Sequence, residues 1–283
     1  MPYDYRKEIE RVKKYYDSDP LQKRFSALIT GESGSGKTFL LRTARFPVHI
    51  DSFDPGGTKC LRPWIESGDI IADTQWENED PYDPSVFKEW MRATDIRIES
   101  NYFNAFGTYT LDSMSTFGDA AMNFQLGDPI TKSGGKEGKS RAGEVPMYRR
   151  DYNPQKIHII NRIKKLMTLP CDIFVMGHLK TVEEIIGQTK DGEAIKRLTY
   201  RLLVTGQAVV TVPLQFDELY VLIGKEGSSG LTRRLVVEAQ GRYVARSRLK
   251  SDGKLEAEEE PDIKALLRKI GLKWEDKPKL ELG

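Results

Sequence analysis

The sequence predicts an α/β fold: a mostly parallel sheet with helices on both faces, extended by antiparallel strands toward the C-terminus. Short apolar runs bounded by turn residues alternate with helical segments through the first ~180 residues, the pattern of a parallel sheet. A glycine-rich loop joins one such run directly to a helix at 31–38. Beyond it the pattern changes to hairpins, with Thr181–Ile186 and Ala194–Tyr200 flanking Lys190-Asp191-Gly192.

In order, residues 4–16 form a charged helix with Ile9 and Val12 on one stripe, placed to pack on the core or on a neighbouring subunit. Phe25–Thr30 reads as a buried strand and Phe39-Leu40-Leu41 as the start of a helix. Phe46–Asp51 is a second strand, running into the sharp loop Ser52-Phe53-Asp54-Pro55-Gly56-Gly57. Helical signals at 58–66, a strand at Ile70–Ala72 and a helix near 84–99 follow. Thr108–Leu111 is an apolar strand ending in Asp112, helices are expected around 115–124 and 154–168, and Cys171–Met176 is a strand ending at Gly177-His178. Glu218–Ile223, Leu231–Ala239 and Arg242–Arg248 read as consecutive antiparallel strands, 251–261 as an acidic linker and 262–270 as a short helix. The chain thus divides into an N-terminal helical extension (1–23), a core (24–250) and a linker with a C-terminal helix and tail (251–283).

A 39% hydrophobic content supports a sizeable core, and a net charge of +2 gives no global nucleic-acid signature, so any such binding must be local. Cys60 and Cys171 are far apart and lack metal spacing, which suits a reducing compartment. No apolar leader and no run of membrane-spanning length is present, so the expectation is a soluble cytoplasmic protein.

The most specific chemistry lies at Gly31-Glu32-Ser33-Gly34-Ser35-Gly36-Lys37-Thr38, which matches the phosphate-binding pattern G-x-x-x-x-G-K-[ST]. A chance match in a chain of this length has odds of roughly one in a hundred at ordinary residue frequencies. Glycines permit tight backbone turns, so that successive N–H groups form an anion-binding nest at a helix start. Lys37 would neutralise the β- and γ-phosphates of ATP, and the Thr38 hydroxyl would ligate Mg²⁺. The second metal carboxylate belongs at the end of a core strand, where Asp112 stands; Ser113 follows it, not an acidic residue.

Taken together, Gly31–Thr38, Leu111-Asp112-Ser113, the strand ending at Gly177-His178 and the basic segment Arg242–Arg248 resemble the RecA-like P-loop ATPases. More narrowly, the chain resembles the RecA-like nucleotide-binding proteins of tailed phages that support single-strand annealing and recombination, over roughly residues 24–250. The resemblance implies a water-polarising glutamate after the second core strand. Here that stretch offers aspartates, with Asp54 the first choice ahead of Asp51 and Glu32. An aspartate is one methylene shorter, and about 1 Å of misplacement costs on the order of 100-fold in rate, so slow hydrolysis is expected. His178 takes the place of the γ-phosphate sensor. At period two Arg242, Val244, Arg246, Arg248 and Lys250 share one face of a strand, and the resemblance makes Arg246 or Arg248 an arginine finger acting on the next subunit of a homo-oligomer.

Residues 127–150 lack hydrophobic periodicity and carry Lys132, Lys136, Lys139, Arg141, Arg149 and Arg150. The resemblance puts a DNA-contacting loop there and a second in the hairpin 181–200, with Lys196 and Arg197. It therefore implies a phage- or prophage-encoded ATPase that assembles on single-stranded DNA for annealing or strand exchange, with a single-strand-binding protein as partner. Tyr148 and Tyr152 are placed to stack on bases. The competing reading is an ATP-dependent assembly or switch protein that holds a protein partner.

Overall fold

The computed structural model describes residues 4–19, 22–128, 140–147, 150–189, 192–227 and 230–281. The helices and strands run in the order α1 (Tyr5–Ser18), β1 (Ser26–Gly31), α2 (Lys37–Leu40), β2 (Val48–Ser52), α3 (Arg62–Glu66), β3 (Ile70–Asp73), α4 (Val86–Glu99), β4 (Thr108–Asp112), α5 (Met114–Gly127) and α6 (Tyr152–Leu166). There follow β5 (Asp172–Gln188), β6 (Ala194–Leu202), α7 (Ala208–Thr211), β7 (Glu218–Gly227), β8 (Gly230–Val236), β9 (Arg246–Ser247), β10 (Glu258–Glu259) and α8 (Ile263–Ile270).

The sheet order is β10-β8-β7-β1-β5-β4-β2-β3, with β6 paired to β5 and β9 to β7. From β7 to β3 every neighbouring pair is parallel, whereas β6, β8, β9 and β10 join antiparallel. The fold class is the expected one: an α/β core with a mostly parallel sheet, extended by antiparallel strands. β5 lies between the loop-bearing strand β1 and the carboxylate-bearing strand β4, so the C-terminal ends of all three open on one crevice. Ligands of open α/β sheets bind in such a crevice.

Both faces of the central strands are buried, which is why they read as continuous apolar runs. Alternation sorts their side chains between two cores. Leu28, Ile173, Val175 and Leu111 face the layer that holds Phe87 and Trp90 of α4, Phe117 of α5 and Ile159 and Ile163 of α6. Ala27, Ile29, Phe174, Met176 and Ile50 face the layer built from Leu40, Leu61, Leu266 and Leu267. In α6 the spacing of Ile159, Ile163 and Leu166 puts all three on one buried stripe, each contributing about 1.5–3 kcal/mol of burial. α8 starts where the Asp262 carboxylate accepts from Ala265 N and stops at Gly271, whose φ is +78°.

Four expectations need correcting. α1 is capped by Asp4 but has no buried residue, so it does not pack on the core. Cys171–Met176 and Thr181–Ile186 are one strand, β5, which pairs with β1 up to His178 and then leaves the core with β6 as a two-stranded arm. Residues 242–250 do not form a strand with a basic face; only Arg246–Ser247 is extended and paired. β8 occupies the edge of β7 from Val221 onward, leaving Glu218 and Leu219 as the positions where β9 pairs. Finally, the acidic stretch at 251–261 is bound into the fold: Leu255 is buried and Glu258–Glu259 pair with β8.

Candidate nucleotide-binding site

β1 ends at Gly31, and the chain reverses through Gly34 and Gly36 into α2. Gly36 has φ +98°, a conformation that favours glycine. At Gly31 a Cβ would stand 2.7 Å from the Leu222 carbonyl oxygen, so the loop passes too close to β7 for a side chain. Lys37 is buried, and its Nζ donates to the carbonyls of Gly31 at 3.0 Å and Glu32 at 2.9 Å. Burial lowers its pKa, opposed by the charges of Asp112 and Asp54.

Thr38 Oγ1 donates to Asp112 Oδ2 at 2.5 Å. The two oxygens expected to share a divalent cation therefore converge from the loop and from β4, and a hydroxyl with a carboxylate is the hard oxygen pair that Mg²⁺ selects. Burial, reinforced by the Asp54 charge against the hydrogen bond from Thr38, pushes the Asp112 carboxyl up to about 6.

Asp54 reaches the same crevice from the loop after β2. Its Oδ1 accepts from Ser113 Oγ at 2.8 Å and Thr116 Oγ1 at 2.6 Å, and its Oδ2 lies 3.0 Å from His178 Nε2. Burial alone would raise its pKa, but the hydrogen bonds from His178, Thr116 and Ser113 hold it below the usual carboxylate range. His178 sits in register with Gly31 across β5 and β1. Its backbone N–H donates to Ser115 Oγ at 3.2 Å, and its Nδ1 lies 3.5 Å from Lys37 Nζ.

The structure thus brings Lys37, Thr38, Asp54, Asp112 and His178 into one cluster from four elements. Asp51 is not part of it. Fully buried, it accepts from Trp90 Nε1 at 2.8 Å, Tyr109 OH at 2.7 Å and Arg97 Nη1 at 3.1 Å, and it touches His49 at 2.9 Å. That network holds β2, β4 and α4 together. His49, Asp51 and Asp73 could meet a metal by spacing, but Arg97 already fills the space between the two carboxylates. Glu32 contributes its carbonyl to Lys37.

Arg246 and Arg248 lie apart from this cluster, on or beside β9, which pairs with β7 at Glu218–Leu219, toward the N-terminal end of the parallel strands. Arg246 Nη2 donates to the carbonyls of Phe216 at 2.9 Å and Pro213 at 3.3 Å, and Arg248 pairs with Asp217 at 2.8 Å. Of the cations expected at nucleic acid, Lys132, Lys136, Lys139 and Arg149 lie outside the described residues, as does Tyr148. Arg141 is bound to Asp151 at 2.9 Å and Glu144 at 2.7 Å. Arg150 Nη1 lies 3.9 Å from Met147 Sδ. On the arm, Lys196 pairs with Glu183 at 3.0 Å and Arg197 donates to the Gly241 carbonyl at 2.9 Å.

Sequence reasoning missed Arg233. From β8 its Nε donates to the Ser35 carbonyl at 2.8 Å, laying a cation of the same chain against the loop. A cleft of about 320 Å³ opens beside it, lined by Glu32, Ser35, Leu222, Leu231 and Tyr243. The adjacent pair Arg233-Arg234 was the available signal, but nothing in the sequence shows that β8 folds back over the loop. The Ser113 and Thr116 hydroxyls were also missed; their i, i+3 spacing at the start of a helix is a recognisable clasp.

No protein-family model and no curated protein matches this chain. Among solved structures, a KaiC-like protein from Pyrococcus horikoshii is similar over 79% of this chain and 81% of its own, at 10% identity and a TM-score of 0.37. The flagellar accessory protein FlaH from Methanocaldococcus jannaschii is similar over 75% and 76%, at 13% identity and a TM-score of 0.38. The class of the chain, an α/β fold with a mostly parallel sheet and a phosphate-loop sequence after its first strand, rests on its own strand order and loop.

Proposed function

We propose that this chain is a Mg²⁺-dependent ATPase whose nucleotide state controls a bound partner. The observation that carries the ATPase reading is the meeting of Thr38 with Asp112 beside the buried Lys37. Loop N–H groups and Lys37 would hold the triphosphate, and Thr38 and Asp112 would hold the cation. Bound there, Mg²⁺ neutralises phosphate charge. Lys37→Ala should weaken binding of a fluorescent ATP analogue by about 10- to 100-fold, the contribution of a charge-assisted contact. Equal affinity in the two proteins would sink the reading.

For the partner, single-stranded DNA in phage-type recombination, bound by a homo-oligomer and aided by a single-strand-binding protein, is supported by the basic stretch at 127–150. A protein partner is favoured by the arm. Its cations Lys196 and Arg201 are paired to Glu183 and Glu184, whereas Ile185, Ile186, Ile195 and Leu198 are exposed on it. ATPase rate and gel mobility with and without single-stranded DNA at low salt separate the two. Stimulation and an ATP-dependent shift select DNA; neither effect selects the protein partner.

A further inference from the structure

The His178 imidazole lies between two groups whose hydrogen-bonding capacity is one-sided. Asp54 as a carboxylate can only accept, and Lys37 as an ammonium can only donate. With Nε2 3.0 Å from Asp54 Oδ2 and Nδ1 3.5 Å from Lys37 Nζ, one neutral tautomer satisfies both sides. In that tautomer the hydrogen sits on Nε2, and the lone pair of Nδ1 faces the lysine. The main chain that carries the ring is held by its N–H on Ser115 Oγ.

Resting on the ATP reading above, we propose that His178 takes the proton from the attacking water and that Asp54 is its positioning residue. Asp54 suits that second role better than the role of base. Both its oxygens are committed, Oδ1 to Ser113 and Thr116 and Oδ2 to His178. A carboxylate with three donors is a weak proton acceptor, in keeping with its lowered pKa. The imidazole carries the acceptor across its own width toward Lys37, which reaches where the short aspartate does not. Among the described residues, Lys37 from α2, Asp112 from β4 and Asp119 from α5 also bring charge to this space. When Lys37 turns to the phosphates, Nδ1 is left facing the γ-phosphate side of the crevice.

In the step, the water oxygen bonds to the γ-phosphorus as the bond to the bridging oxygen breaks, and that electron pair stays on ADP. One water proton passes to Nδ1, while the Nε2 hydrogen stays in its bond to Asp54. The proton on Nδ1 then leaves to solvent or to the departing phosphate.

His178→Gln keeps a polar side chain that cannot take up a proton, so kcat should fall by about 10²–10⁴-fold with KM for ATP nearly unchanged. Asp54→Asn offers Nε2 an amide hydrogen and turns the ring to the Nδ1–H tautomer, so kcat should fall comparably. The double variant should be no slower than the worse single one. A readout independent of turnover is the ¹H–¹⁵N spectrum of the imidazoles, which the chain's 3 histidines make assignable. Nε2–H is expected for His178 in the unmodified protein and Nδ1–H in Asp54→Asn. Wild-type kcat in His178→Gln, or Nδ1–H in the unmodified protein, would overturn the proposal. So would a protein that binds ATP and never turns it over. Titration with the fluorescent analogue separates the two levels: failure to bind removes the ATP reading itself, whereas retained binding with unchanged kcat in His178→Gln removes the dyad alone.

Discussion

Asp112, the carboxylate proposed to hold the cation, works against the fold that contains it. Its ordinary value is 3.8, and burial has pushed it up to about 6. Between those values the folded state binds more protons than the unfolded one, so this carboxyl's contribution falls as pH rises through the window and stays unfavourable above it. Asp112→Asn should therefore be more stable than the unmodified chain at pH 8, by on the order of 2–3 kcal/mol. The gap should narrow as the pH approaches 4. Thermal melts across that range check it, and an unchanged gap would refute the assignment. The same variant should lose the dependence of nucleotide binding on Mg²⁺. Gly31, Lys37, Thr38 and Asp112 were legible in the sequence because each is tied to a short local motif, strand–loop–helix or strand end. Arg233 was not, since its contact with Ser35 spans 198 residues of chain.

At the scale of elements, β5 is the informative one. Up to His178 it is a buried core strand; from Leu179 on it pairs with β6 alone and leaves the sheet. The sequence announced the hairpin through Lys190-Asp191-Gly192 but broke the strand in two, because buried and exposed halves follow different patterns. Ile185 and Ile186 are exposed, so replacing both with serine should change stability by less than about 0.5 kcal/mol. A urea melt reads that; a clear loss would mean that the arm folds back on the core in solution. A partner protein bound at the arm should be lost at the same time. The basic stripe at 242–250 failed for the complementary reason. Period two assigns a face only if the segment is a strand, and pairing room on β7 limits β9 to two residues.

For the whole molecule, stability resides in the two cores flanking the sheet, and α1 contributes to neither. Removing residues 1–18 should leave the melting temperature within about 2 °C, since none of the described residues removed is buried. A large drop would show that α1 is packed in the folded protein. If α1 instead joins copies of the chain, the truncation should lower the oligomeric state measured by light scattering while the melting temperature holds. Among the described residues no helix is long and apolar enough to cross a membrane.

What the sequence determined by itself is local. The glycine loop, the strand ends that carry Asp112 and His178, and the alternation of strands and helices are written in adjacent residues, where backbone conformation and side-chain period act directly. What the tertiary structure alone decided is which of these ends share a crevice. Placing β5 between β1 and β4 sets His178 between Lys37 and Asp54 and Thr38 against Asp112. That choice depends on strand pairings between residues far apart in the chain, and no local propensity encodes it.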